Sequence, residues 1–515
     1  MKNTIKYILI LCAAPVLLSS CLKEEFPHNG YVTNEQIANS DSGLDAATKA
    51  MISWMGESMT IYEEHWDFGF PAVCMAMDAL TCDVAIEDYG YDNGCLYWRA
   101  CLDLEDTGSL PYFVWMYMYR MINLSNNVLL TMNTSGNGSD IESLSATARR
   151  AIGQSLAYRA LSYLYLARVY EYKGSLSGAY SGLTVPYIDQ YTTESEARYN
   201  ERLPHDEMYE NVIVRDLTNA LKYLDGYTRE KKSQIDQSVV YGLLARTYLQ
   251  MEKWTEAAEA ARKAIDLSGA RMLTEAEWTN TTTGFNSLSN TSWLWGVEVT
   301  SDDRTVKTGI CNWVSMLAPE ATFGYSGADS GRSAKLIDVN LYNKIPDTDW
   351  RKQSWLDPDR SKYNYKTNQN AAWLESVPDY TGIKFRPANG NTQTSNIAAA
   401  ADYPTMRVEE MYLIEAEAKA MLNADEGKSL LEAFAKTRNP NYVCRATDSK
   451  GIQDEIFLQR QIEFWGEGLI VFDYKRLDKP QMRGYKGTNH FYECRYNSPD
   501  GNAPWTTLPL PLREM

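Results

Sequence analysis

Between residues 145 and 267 the apolar residues return every three or four positions, and that period commits the segment to packed helices. From Ala151 to Tyr172, Leu156, Ala160, Tyr163, Leu166, Ala167 and Tyr170 fall on one helical face, and Gly174 is placed to end the helix. A second helix is expected from about Glu207 to Leu224, with Val212, Ile213, Leu217, Ala220 and Leu221 as its buried stripe. Ser238 to Asp266 reads as a helical hairpin: Tyr241, Leu244, Ala245 and Tyr248 line its first arm, and Ala257, Ala261 and Ala264 line its second. Glu252-Lys253-Trp254 marks the bend.

The small residues on the second arm let two helices approach closely, and the hairpin has the tetratricopeptide pattern. Tyr163, Leu166, Ala167 and Tyr170 repeat its first arm, but an insertion over about 174–206 displaces the second, and Leu183-Thr184-Val185-Pro186 closes the insertion's first part. Arg407 to Leu422 has the same character, so the repeats are interrupted rather than tandem. Residues 60–118 mix short apolar runs with Gly, Asp and many rings. Residues 270–400 are rich in Asn, Thr, Ser, Gly and Asp, with a strand-like Trp293–Val299 near the start, and 484–515 read as irregular. Loops of such length are usually functional. The 515 residues leave room for roughly three domains or one repeat-built body. At 44% hydrophobic and 23% charged the chain is globular, and a formal charge of -17 argues against a nucleic-acid binder.

Residues 1–21 read as an address. Lys2 and Lys6 precede an apolar run from Ile8 to Leu18, too short to span a bilayer and suited to a secretory signal peptide. Leu18-Ser19-Ser20-Cys21 is a lipoprotein cleavage site, at which the Cys21 thiol takes a diacylglycerol and the freed amine a fatty acid such as palmitate. Lys23-Glu24-Glu25 resembles the acidic signal that sends lipoproteins to the outside of the outer membrane. Without Cys12 and Cys21, seven cysteines remain. Cys74, Cys82, Cys95 and Cys101 lie close together and allow three pairings, and an odd total leaves at least one thiol free. No CxxC pair is present, and four histidines (His28, His65, His205, His490) leave little for a metal site.

Several segments, in order, carry a resemblance. They are Tyr158-Arg159-Ala160-Leu161-Ser162-Tyr163-Leu164-Tyr165-Leu166 with Pro186 after it, Ala245-Arg246-Thr247-Tyr248-Leu249, and the run from Met406-Arg407 to Glu415-Ala416-Glu417-Ala418. After these come Gln459-Arg460-Gln461-Ile462-Glu463-Phe464, Glu467-Gly468, Phe472-Asp473-Tyr474 with Arg476, and finally Leu508-Pro509-Leu510-Pro511 followed by Glu514. Together with the lipobox, they resemble the SusD/RagB family of Bacteroidetes surface lipoproteins over nearly the whole length. Val408 replaces a usual Tyr, Gln459 a common Glu and Ile470 a common Arg.

The resemblance implies a mainly α fold, an α-helical body of four tetratricopeptide-like helix pairs with loops and short strands grafted on. On this reading residues 1–21 are the signal peptide, 22–270 the N-terminal region with the repeat helices, and 271–515 the C-terminal region with the ligand loops and closing helix. It also implies capture of an oligosaccharide at the outer membrane and its delivery to a SusC-like TonB-dependent transporter. No catalysis, cofactor or metal is implied. The alternatives are a peptide-binding, RagB-like importer subunit and, further off, an anchored helical glycoside hydrolase.

A sugar presents C–H faces for rings and hydroxyls for Asn, Asp and Arg, so a glycan site needs exposed rings with polar neighbours on loops. Two clusters qualify. The first holds Asp83, Asp88, Tyr89, Tyr91, Asn93, Tyr97 and Trp98; the second holds Trp313, Phe323 and Tyr325. Asp83, Tyr89, Tyr91, Asn93, Trp98, Trp313, Phe323 and Tyr325 are the expected ligand residues, whereas Trp293 and Trp295 alternate in a strand pattern that suits core. Glu415, Glu417, Glu463, Glu467 and Asp473 could suggest paired glycosidase carboxylates, but Arg407, Arg460 and Arg476 lie near them and ion pairs are expected instead. Asp357-Pro358-Asp359 lacks the Gly and Glu of a calcium loop and reads as a turn.

Overall fold

The computed structural model describes residues 34–87, 105–172, 181–327, 332–361 and 371–512. The first helices are α1 (Asp41–Trp54), α2 (Phe70–Ala79), α3 (Ser109–Thr131) and α4 (Ala146–Tyr170). Next come α5 (Arg215–Tyr223), α6 (Gln237–Gln250) and α7 (Trp254–Ser268). A five-residue helix α8 (Trp313–Leu317) precedes α9 (Val408–Leu422), α10 (Ala424–Lys436), α11 (Ser449–Glu463) and α12 (Ile470–Arg476). The long helices stack side by side in chain order: α3 on α4, α4 on α5, α5 on α6, α6 on α7, α7 on α9, and α9 on both α10 and α11.

Local chemistry sets the ends. The Ser145 hydroxyl accepts from Ala148 N at 3.1 Å to start α4, five residues before the apolar period becomes visible. The Asp236 carboxylate accepts from Val239 N at 3.2 Å to start α6. The chain then turns through Glu252, whose φ is 56°, into α7, which Gly269 ends at φ 63°. Asn423 and Asp448 cap α10 and α11 in the same way. α5 continues a helical run that begins at His205 and passes through a π-helical stretch, Tyr209–Val214.

α4 is buried on nearly every side and is the axis of the molecule. The sequence gives no period over α2 and α3. Phe113, Val114, Trp115, Tyr117 and Met118 are buried in succession, so apolar residues occupy almost the whole circumference of α3 and the three- to four-residue return disappears. Among the described residues the strands form four antiparallel pairs. β1 (Val84–Ile86) pairs with β5 (Lys335–Ile337), and β2 (Leu183–Pro186) with β3 (Arg202–Pro204). β4 (Trp293–Val297) pairs with β6 (Tyr403–Arg407), and β7 (Gln481–Met482) with β8 (Asn497–Ser498). Trp293 and Trp295 are buried, as their alternation suggests. One hydrophobic core runs from Leu44 to Leu508 and draws on both sides of residue 270. Cys74, Cys82, Cys311 and Cys444 are free thiols, so Cys74 and Cys82 form no disulfide. Cys95 and Cys101 lie outside the described residues.

Candidate functional site

Two loops meet at one face. In the first, residues 59–68, the Asp67 carboxylate accepts the backbone N–H groups of Thr60, Ile61 and Tyr62 at 2.8–2.9 Å. Burial pushes the Asp67 pKa up, against those three donors. In the second, residues 311–327, Ser326 N donates to Ser315 O at 2.8 Å and Tyr325 N to the Ser315 hydroxyl at 3.2 Å, which ties the loop back onto α8. Cys311 bridges the two loops, its thiol 3.3 Å from Asp67 O. On this frame His65 Nδ1 lies 2.6 Å from the Tyr325 hydroxyl, and the two rings stack at 5.9 Å. Tyr62 packs on Trp66 at 5.0 Å and edge-on to Tyr112 at 6.1 Å. Tyr62, His65, Tyr112, Phe323 and Tyr325 are all half-buried, and Glu63 and Glu64 beside them are exposed. Half-exposed rings fixed by polar partners can stack on an apolar face while their rims hydrogen-bond.

The expected site residues divide three ways. Phe323 and Tyr325 are on this face. Tyr89, Tyr91, Asn93 and Trp98 lie outside the described residues. Asp83 and Trp313 are core, which corrects their reading as ligand residues. The Trp313 ring is 2% exposed, gives its indole N–H to Ala401 O at 2.8 Å, and packs edge-on to Phe385 and Tyr403. Its neighbour Asn312 is the N-cap of α8. Asp83 is 4% exposed and accepts from Gln461 Nε2 at 2.8 Å and the Tyr474 hydroxyl at 2.7 Å. Burial pushes its pKa up to about 7. Tyr62 and His65 belong to the face, though the sequence offers only the ring density of 60–118 as a signal for them. The 260 residues between His65 and Tyr325 hide the pairing.

A separate groove of about 440 Å³ runs between α3 and the segment after β2. Trp115, Tyr119, Asn123, Asn127, Arg198 and Asn200 are among the residues that line it.

The carboxylates of the closing helices are all engaged. Arg407 gives Nη1 to Glu463 at 3.1 Å and Nε to Glu467 at 2.9 Å, and Arg351 and Arg438 also reach Glu463. Those guanidiniums hold the Glu463 carboxyl well below its ordinary range despite full burial. Asp473 is paired with Arg460 and Arg476, and Glu417 with Arg476. Glu415 pairs with Arg262 rather than with a closing-helix arginine. Gln459, where a Glu is common, accepts from Arg351 Nη2 at 2.5 Å and does that work without a charge. Asp357 is a turn residue, its carboxylate accepting from Ser361 N and Oγ. Among the described residues no group of three His, Cys, Asp or Glu side chains could hold a metal ion, and no helix is long and apolar enough to cross a membrane.

Two family models match separate parts of the chain. Residues 318–509 match the model described as the SusD family, and residues 83–249 match one described as starch-binding, associating with outer membrane. Solved structures share the architecture. A SusD-like carbohydrate binding protein from Bacteroides vulgatus is 22% identical with a TM-score of 0.71, over 92% of this chain and 96% of that one. A SusD superfamily protein from Bacteroides thetaiotaomicron is 18% identical with a TM-score of 0.68, over 92% and 97%. Surface glycan-binding protein A from the same species, in complex with laminarihexaose, is 17% identical with a TM-score of 0.64, over 92% and 97%. No curated protein sequence matches. The helical stack with short strand pairs and long loops grafted onto it is thus the SusD-like α-helical fold. With both family models in sequence order across well over half its length, the chain belongs to the SusD/RagB family.

Proposed function

We propose that the chain is a glycan-binding lipoprotein of the outer membrane, held by lipid on Cys21 and facing the cell exterior. It captures oligosaccharides and delivers them to a SusC-like TonB-dependent transporter, and it does no chemistry on them. One observation carries the reading: Tyr62, His65, Phe323 and Tyr325 gather half-exposed rings on two pinned loops. The family match and the laminarihexaose complex of a relative support a sugar as the ligand. Tyr89, Tyr91, Asn93 and Trp98 are proposed as further contacts on their residue types alone. The ion pairing of the closing-helix carboxylates supports binding over hydrolysis, because a glycosidase needs two that are free to work.

Calorimetry on the chain lacking Cys21 tests the site. Tyr325→Ala should lower affinity for the bound glycan at least about tenfold, the loss of one stacking ring. Asn127→Ala, in the groove beside α3, should leave it unchanged. The reverse pattern would move the site to that groove.

A further inference from the structure

Where α4, α6, α11 and α12 meet, three buried guanidiniums have N–H groups that find no acceptor among the described residues. Arg168 gives Nε to Leu164 O, while its Nη2 has no partner. Arg246 binds Glu410 through Nε and Nη2, while its Nη1 has none. Arg460 binds Asp473 through Nε, while its Nη1 has none. These residues are 6%, 4% and 4% exposed, respectively. All three line one void of about 20 Å³, with Gln250, Glu410 and Phe472 around it. A void of that size holds a single small particle.

Arg246 pairs with Glu410 and Arg460 with Asp473, but among the described residues no carboxylate pairs with Arg168. The unmatched cation is Arg168, which lies against ring faces, 3.8 Å from the Phe472 centroid and 5.0 Å from that of Tyr165. A guanidinium stays charged in a protein, and a buried charge without a counter-charge is costly. Burial pulls the Arg168 pKa down, as expected for a cation short of a partner. A cleft of about 390 Å³ shares Arg168, Gln250 and Arg476 with the void, and Glu171, His205, Glu252 and Lys475 line the cleft too.

We propose that this void binds one monovalent inorganic anion of chloride size, held by Arg168 Nη2, Arg246 Nη1 and Arg460 Nη1. The anion supplies the missing counter-charge and joins helices from the two ends of the chain.

Two measurements on the chain lacking Cys21 test it. In the first, the melting temperature is followed in sodium chloride, bromide, acetate and gluconate at one ionic strength. It should rise by a few degrees with chloride and bromide between about 1 and about 100 mM and then level off, as for a ligand bound only by the folded state. Arg168→Met should abolish that rise. In the second, which needs no variant, crystals soaked in bromide should show an anomalous peak in the void. Equal melting temperatures in chloride and gluconate, with no bromide peak there, would overturn the proposal and make the occupant water. A rise with acetate but not with halide would contradict a halide-sized site, and would mean that a ligand carboxylate reaches in through the cleft.

Discussion

Asp83 sits in the core with two hydrogen-bond donors, and among the described residues no cation is paired to its carboxylate. Its pKa, pushed up to about 7 by burial, fixes the sign of a pH effect. Between the ordinary Asp value near 4 and about 7, the folded chain holds a proton that the unfolded chain has released. Stability from this group is therefore full below about pH 4 and lost as the pH rises through 7. Asp83→Asn keeps the shape without the charge. It should flatten that loss, of order a few kcal/mol, and denaturant titrations of both proteins at pH 5 and pH 8 measure it. The two rings expected to work together should also part. Trp313→Ala empties a core position and should cost about 3–5 kcal/mol of stability. Tyr325→Ala should change the melting temperature little and affinity much. Both rings have Gly and Ser close by in sequence. What separates them is that Asn312 caps a helix turned inward, which neighbour composition does not reveal.

At the level of elements, legibility followed the apolar period. α4, α6, α7 and α9 keep polar residues between their apolar and small ones, even where those polar residues are buried, as Gln154, Ser155, Arg159 and Ser162 are in α4, so the three- to four-residue return stays visible and their positions were readable to within a few residues. α2 and α3 were not, because they are apolar almost all round. The face built from 59–68 and 311–327 has no period at all. It depends on Asp67 and Ser315 holding irregular backbone, so only half of it, Phe323 and Tyr325, could be named from sequence. Close helix contact gives a test at this scale. A Cβ on Gly427 in α10 would stand 2.3 Å from the Ala420 backbone in α9. Gly427→Ala gains about 1 kcal/mol of helix propensity but must force the hairpin apart, at a cost of about 1–3 kcal/mol or more. The variant should melt below the parent, which thermal unfolding will show.

Over the whole molecule, the family's sequence signatures mark what closes the fold rather than what touches a ligand. Arg407, at the end of β6, reaches Glu409, Glu463 and Glu467, and so joins strand, stack and closing helix. Arg407→Met would leave those buried carboxylates short of a cation, a loss of about 3–5 kcal/mol by the measure of other buried pairs. Urea unfolding should record it. Glycan affinity of the variant at low temperature, where it remains folded, should be unchanged. This division explains why family and fold were legible while the ligand was not: the signature residues are structural, and the face proposed to meet a sugar is carried on loops.

The most direct test of the account is affinity electrophoresis of the chain lacking Cys21 against a panel of polysaccharides, with a reducing-sugar assay on the same mixtures. Retardation by one class of glycan with no sugar released is the predicted result. Release of reducing sugar, or retardation by none of the glycans while peptides bind, would contradict it.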